Sequence, residues 1–239
     1  MLDLFRFYPE LTERIEGLCG GASWGVTGVS ALVHDDDDAL YFEITKPKHW
    51  QRRQDGVLVG GIGGLGGSIE PGETVLACLY RETEEELGAP VAIESAARTD
   101  LVYEQNVADA LALDQRSQTW RSHEYPAPAL CTISENLYPQ ARHSQCQILV
   151  IVTFWARLLG TPSPDDLFGL LVIPREELAS VFRPQETALS RLRTIRGVRV
   201  VASDPLPEDM LLKPVWTARS LQLLLEAGWV PSGESRRRS

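Results

Sequence analysis

The stretch Gly60-Gly-Ile-Gly-Gly-Leu-Gly-Gly-Ser-Ile-Glu-Pro-Gly-Glu73 sets seven glycines within fourteen residues. One fit is a dinucleotide-binding fingerprint, because Gly61-x-Gly63-x-x-Gly66 matches G-x-G-x-x-G. That fingerprint needs its last glycine to open a helix at once, so that a pyrophosphate meets the helix N-terminus. Here Pro71 and Gly72 postpone the helix to about Glu73. The fingerprint also expects an acid at the end of a second strand about twenty residues on, a position that still falls in this helix. A P-loop fails too, since no Gly-Lys-Ser/Thr follows.

The helix offers the other fit, a metal site. Its expected span is Thr74 to Leu87, stopped by Gly88 and Pro90. With Glu82 at zero on a wheel of about 100° per residue, Glu85 lies about 60° to one side and Glu86 about 40° to the other. Three carboxylates share one arc, and Glu84 points away. Val75, Leu76, Leu79, Thr83 and Leu87 fall mainly on the adjoining arc, which can face a core. Like charges three and four residues apart repel by roughly 0.2–0.5 kcal/mol per pair. A divalent cation makes the same geometry favourable, and Mg2+ or Mn2+ suits oxygen ligands. The glycines read as a flexible loop that lets backbone carbonyls approach a metal or a phosphate. A solvated acidic face, with Arg81–Glu85 as an i,i+4 ion pair, is the competing reading of the helix alone.

These residues resemble the Nudix hydrolase signature, G-x5-E-x7-R-E-U-x-E-E-x-G-U, where U is bulky and apolar. Gly67, Glu73, Arg81, Glu82, Glu85, Glu86 and Gly88 fall in register, and Gly66, Glu70 and Gly72 supply the common Gly-Gly-x-x-Glu-x-Gly-Glu opening. Thr83 and Ala89 stand at the two U positions as mild departures. The resemblance implies an α+β fold, a mixed β-sheet between helices. It implies hydrolysis of a nucleoside diphosphate linked to another moiety. By similarity, Glu82, Glu85 and Glu86 bind Mg2+ or Mn2+, helped by the Gly66 carbonyl, while Arg81 and Glu73 pair and orient the helix carboxylates. Glu82 is the general base in some members. In others the base comes from a later loop; Glu104, Glu124 and Glu135 are candidates for that role or for an extra metal ligand. The family's substrate-specific signatures are mostly missing; a tyrosine near Tyr103 is seen in diadenosine polyphosphate hydrolases, and a strand or core tyrosine is the plainer reading.

The box covers a small part of the chain. Residues 24–183 are expected to form the Nudix domain, with an N-terminal helical extension over 1–23. A C-terminal extension over 184–239 is expected to pack on the same domain and end in a frayed tail. Strands are expected at Val26–His34, Ala39–Thr45, Val57–Val59, Ala129–Ile133, Gln147–Arg157, Phe168–Ile173 and Val198–Ala202, and one or two within Val91–Tyr103, with helices at Pro174–Val181 and Pro214–Ala227. Asn106–Pro128 reads as a polar, irregular stretch, and Asp35–Asp38 as a solvated hairpin turn rather than a calcium loop. Lys46, Lys48, Arg52 and Arg53 lie in a basic segment that could clamp phosphates, with Trp50 stacking on a base. A solvated loop is the plainer reading of that segment. His123 and His143 lie in polar context and read as exposed.

The chain has 239 residues, 44% hydrophobic and 23% charged, the profile of an ordinary globular protein. A net charge of −10 argues against a nucleic acid or an anionic membrane as a large-footprint partner. The four cysteines show neither C-x-x-C nor zinc spacing, so free, mostly buried thiols in a reducing compartment are expected. With no signal peptide and no apolar run long enough to span a bilayer, a cytoplasmic location is expected. A small nucleotide-type substrate is the expected partner; family members are often dimers, and the terminal segments could serve a homodimer interface. The alternative function is a Nudix-fold module that senses a nucleotide without cleaving it, although such modules typically lose box glutamates that this chain keeps. A protein outside the family with an acidic helix is the third reading.

Overall fold

The computed structural model describes residues 3–113, 125–137, 145–163 and 166–229. Helices α1 (Asp3–Phe7) and α2 (Pro9–Cys19) precede strands β1 (Trp24–His34) and β2 (Ala39–Ile44). Then β3 (Gln51–Arg52), β4 (Leu58–Gly63) and β5 (Leu65–Ser68) lead into α3 (Val75–Leu87). Next come β6 (Val91–Glu94), β7 (Thr99–Tyr103), β8 (Asn106–Leu111), β9 (Leu130–Glu135) and β10 (Ile148–Leu158). The chain continues through β11 (Gly169–Pro174), α4 (Leu178–Phe182), β12 (Thr187–Ala188), α5 (Leu189–Leu192), β13 (Arg199–Ala202), β14 (Leu211–Pro214) and α6 (Trp216–Glu226). Two compact units divide these elements: residues 1–32 with 65–165, and residues 33–64 with 166–239.

In the first unit, β1 pairs antiparallel with β5, from Gly28 opposite Ser68 to Ala31 opposite Leu65. The strand order continues β1-β10-β9-β7-β8. β9 and β10 are antiparallel, whereas β7 and β9 are parallel, so the sheet is mixed. Pro9 opens α2 at a position where its missing N–H costs nothing, and Gly20 closes it in a left-handed turn. Leu11, Ile15 and Cys19 repeat every four residues and form the buried face of α2. The core also takes Val75, Leu79 and Leu87 from α3, Leu101 from β7, Cys131 from β9, and Val152 and Phe154 from β10.

In the second unit, β2 is paired along its length with β11, from Ala39 opposite Pro174 to Ile44 opposite Gly169. Its other edge meets the end of β1 at Tyr41 and Leu40, and β4 at Glu43 and Ile44. β14 runs parallel to β4, β12 pairs with β14, and β13 with β11. Phe42 and Phe182 meet edge to face at 5.0 Å in the core. The four aspartates make a hairpin turn: Asp35 accepts from the N–H groups of Asp37 and Ala39 and from the Tyr41 hydroxyl. Asp38 takes a positive φ of 63° and is held by Arg175 at 2.7 Å.

Four expectations need correction. The glycine segment is not a loop: Gly60–Gly63 lie in β4 and Gly66–Gly67 in β5, both hydrogen-bonded in ladders. Asn106–Leu111 is a strand, turned back on β7 by Glu104 and Gln105 at φ 46° and 62°. Its mostly exposed side chains give no alternating apolar signal, and no Asn-Gly marks the turn. Pro174 ends β11 rather than opening a helix; a 3-10 turn over Arg175–Glu177 precedes α4. Pro214 belongs to β14, opposite Ile62, and α6 starts two residues later. Among the described residues no helix is long and apolar enough to cross a membrane.

Candidate active site

The candidate site lies in the first unit, where β5 leads into α3. Thr74 caps α3, its hydroxyl accepting from the Ala77 N–H at 3.1 Å. Gly88 ends the helix at φ 59°, its N–H returning to Glu84. The buried face is Val75, Cys78, Leu79, Thr83, Glu86 and Leu87. Thr83 lies on that face as a core position, its hydroxyl satisfied by the Leu79 carbonyl at 2.8 Å. The three box carboxylates therefore straddle the rim of the core. Glu86 is buried, Glu82 is partly buried, and Glu85 and Glu84 are exposed.

The glycines of β5 make room rather than slack. At Gly66, φ is 140°, and an added Cβ would lie 2.2 Å from the Val29 carbonyl oxygen. At Gly67 an added Cβ would lie 2.3 Å from Oε1 of Glu82. A side chain at position 67 would thus occupy the place of the Glu82 carboxylate. The Gly66 N–H donates to Glu86 Oε2 at 2.7 Å, so its contact with the acids runs through the amide.

Arg81 joins the acids. Its Nε and Nη2 donate to the two oxygens of Glu73 at 2.9 and 3.1 Å, a bidentate pair. Its Nη1 donates to Glu82 Oε1 at 2.8 Å and to Glu85 Oε2 at 3.3 Å. The i,i+4 pair of Arg81 with Glu85 is thus present, as one branch of a larger network. The guanidinium hydrogen bonds hold the Glu73 carboxyl down at about 2, well below the usual carboxylate range. Glu82 is pushed the other way: burial raises its pKa, Arg81 opposes that rise, and the negative charges of Glu85 and Glu73 add to it. A desolvated carboxylate among other acids favours added positive charge.

Two contributors carry no readable sequence signal for their part. The Ser68 carbonyl accepts from Arg81 Nη2 at 3.3 Å, and a backbone group leaves no trace in residue identity. Cys78, one helical turn before Arg81, touches Nη2 through sulfur at 3.5 Å. Burial, followed by the charge of Glu73, raises its thiol to about 12, so it stays neutral. Only its spacing of three residues from Arg81 could have pointed to it.

The donors suit a hard divalent cation, since all are oxygens. Glu82 and Glu85 already converge on one positive group, the Nη1 of Arg81. Among the described residues, however, no three Asp, Glu, His or Cys side chains are arranged to hold a metal ion. Joint ligation by Glu82, Glu85 and Glu86 therefore requires at least one of them to change rotamer.

The other candidates make their contacts outside this network. In the second unit, Lys46 pairs with Asp166 at 3.1 Å, Arg53 with Glu186 at 2.9 Å, and Arg52 binds the Gly56 carbonyl at 2.6 Å. Trp50 donates to the Thr45 carbonyl at 2.7 Å and meets Phe168 edge to face; Lys48 is exposed. Glu104 and Glu135 come together in the first unit, where Glu104 accepts from the Glu135 N–H. Glu124, His123 and His143 lie outside the described residues. All four cysteines are free; Cys19, Cys78 and Cys131 are buried and Cys146 is partly so.

The family model described as the NUDIX domain matches residues 26–195. Solved structures similar to this chain include a Nudix-family hydrolase from Clostridium perfringens, at 15% identity over 66% of this chain and 83% of that one, with a TM-score of 0.38. A MutT protein from Methanosarcina mazei Go1 shares 11% identity over 66% and 83%, with a TM-score of 0.37. A NUDIX hydrolase from Nitrosomonas europaea shares 12% over 66% and 76%, with a TM-score of 0.38. The search of curated proteins found no match. Members of the matched family hydrolyse nucleoside diphosphate derivatives and generally use divalent metal ions. The family match spans well over half of the chain and contains the whole Gly67–Ala89 box: this protein belongs to the Nudix family.

Proposed function

We propose that this chain cleaves the pyrophosphate bond of a nucleoside diphosphate linked to another moiety, using Mg2+ or Mn2+. Glu82, Glu85, Glu86 and the Gly66 carbonyl would hold the ion. The observation that carries this reading is the sharing of the Arg81 Nη1 by Glu82 and Glu85, at 2.8 and 3.3 Å, on a helix face where Glu86 is buried beside them. When bound, the ion supplies a water of lowered pKa and neutralises charge on the phosphates.

The chain's own residues supply the rest. Glu73 fixes Arg81 by two hydrogen bonds, and Arg81 sets the positions of Glu82 and Glu85. Glu82 takes a proton from the attacking water at the oxygen that Arg81 does not hold. The water oxygen bonds to phosphorus as the bond to the bridging oxygen breaks, and the leaving phosphate departs with that electron pair. Glu104 is the second candidate base. Lys46, Lys48, Arg52, Arg53 and Trp50 are the candidate substrate contacts, and a phosphate would have to displace the present partners of Lys46 and Arg53. In this reading residues 24–183 are the Nudix domain, flanked by extensions over 1–23 and 184–239, and free thiols accord with a cytoplasmic setting.

A nucleotide panel with Mg2+, read as phosphate release after a coupled phosphatase, tests the proposal. Turnover of at least one nucleoside diphosphate derivative is expected, with a loss of a hundredfold or more in Glu86→Gln. Tight nucleotide binding without turnover of any compound would overturn it in favour of a sensor. Full activity of Glu86→Gln would remove the metal assignment.

A further inference from the structure

A cavity of about 580 Å3 lies in the first unit, lined by Phe5, Glu16, Trp24, Glu70, Gly72 and Glu73 among others. That volume falls within the range of small-molecule sites, roughly 300–1,000 Å3. Its walls come from two sources. One is the box segment Ile69–Glu73; the other is the N-terminal segment, of which Phe5, Glu16, Trp24 and Gly25 precede the span matched by the family model. Part of the cavity wall therefore lies outside the span matched by the family model.

The lining selects a chemistry. Phe5 and Trp24 meet edge to face at 5.3 Å, and Trp24 is partly exposed, so an aromatic surface borders the space. Glu16, Glu70 and Glu73 add three carboxylates, and no lysine or arginine is among the described lining residues. Both oxygens of Glu73 are engaged by Arg81, and one also accepts from the Glu70 N–H. Glu16 and Glu70 remain as the acceptors to be used. At Gly72 an added Cβ would meet nothing within 4 Å, so the floor is open there. Such a site rejects phosphate and favours a flat ring that donates hydrogen bonds.

We propose that this cavity binds a nucleobase carrying an exocyclic amino group, stacked against Trp24 and donating to Glu16 or Glu70. The inference rests on the nucleotide reading above for the choice of ring. Through Glu73 the site adjoins the Arg81 network, so a base held here could belong to the substrate or to a separate nucleotide ligand.

The test is calorimetric titration of the full chain with nucleosides lacking phosphate, in the presence of a chelator. Hydrolytic activity does not enter, so its outcome is independent of whether the chain cleaves pyrophosphate. Saturable binding of adenosine is expected, with uridine about tenfold weaker because it lacks the amino donor. The double variant Glu16→Gln with Glu70→Gln, which removes both candidate acceptors, and Trp24→Ala, each checked by circular dichroism, should each weaken adenosine about tenfold. Adenosine that raises KM without changing kcat for a hydrolysed nucleotide identifies the ring as the substrate's. Binding without that effect identifies a separate ligand, and either result supports the site. No adenosine binding, equal binding of uridine, or unchanged binding in both variants overturns it, as does binding of choline in place of adenosine.

Discussion

Gly66 and Gly67 are neighbours in β5, yet they resist substitution for different reasons. The Cβ of Gly66→Ala would run into backbone, at 2.2 Å from the Val29 oxygen and 2.7 Å from the Ser30 Cα, at φ 140°. Backbone of a paired strand cannot step aside, so this variant should lose about 2–4 kcal/mol of stability. The atoms nearest the Cβ of Gly67→Ala would all belong to the end of the Glu82 side chain, which can rotate. Gly67→Ala should therefore keep a thermal midpoint near wild type while losing hydrolytic rate; equal thermal losses in the two variants would contradict this division. The Glu73–Arg81 pair makes a second claim, about pH. Glu73 titrates at about 2 against an ordinary 4.5, so the folded state binds fewer protons between those values. Stability then rises with pH across that window, is complete above about 4.5, and is lost toward 2. Glu73→Gln should be less stable than wild type at neutral pH, with the gap in urea midpoint narrowing as pH falls below 4.5. A gap that stays constant from pH 7 to 3 would show that the pair does not titrate as described.

At the scale of elements, α3 was the most readable part of the chain. Its extent, its stop and its carboxylate arc follow from residue type and the helical period alone, and the structure has it over Val75–Leu87, with Thr74 as the cap rather than the first helical residue. Thr74→Ala removes the hydroxyl that caps the Ala77 N–H and should cost about 1 kcal/mol. Equilibrium denaturation would check it, and a loss below a few tenths would show the cap to be idle. The strands beside α3 were harder to read. A run of glycines lacks the side chains on which strand patterns are recognised, so β4 and β5 look like a loop until their ladders are seen. β8 is hidden for a related reason: an exposed edge strand needs no alternation, and its turn uses Glu104 and Gln105 where glycine or asparagine is the usual mark. The box acids could be placed on one face from sequence, with Arg81 as a partner of Glu73 and Glu85, but the shared geometry could not. That one Arg81 nitrogen bridges Glu82 and Glu85 depends on rotamers, which spacing does not specify.

For the whole molecule, family and fold class were legible because seven fixed box positions lie in register within one short segment. Pairings between distant segments were not, because parallel partners such as β4 and β14 share no local signal. The balance of charge is also a whole-chain property with a measurable consequence. The chain carries −10, and three of its acids sit at the rim of a core with one guanidinium among them. A cation that binds the folded chain and not the unfolded one must raise its stability. At one hundred times the dissociation constant the gain is about 2.7 kcal/mol, and for a chain of this size each kcal/mol raises the midpoint by about 2–4 °C. Titration with Mn2+ should therefore lift the thermal midpoint by about 5 °C or more. Glu82→Gln, Glu85→Gln and Glu86→Gln should each flatten that rise. Without metal each removes like-charge repulsion, which is offset at 82 and 85 by the loss of an ion pair with Arg81 and at 86 by a weaker bond to the Gly66 N–H. Glu13→Gln and Glu176→Gln, exposed acids outside the box, should keep the full Mn2+ response. A midpoint that rises equally in all five variants would mean that the ion acts on the surface charge at large, and the box would lose its claim to hold it.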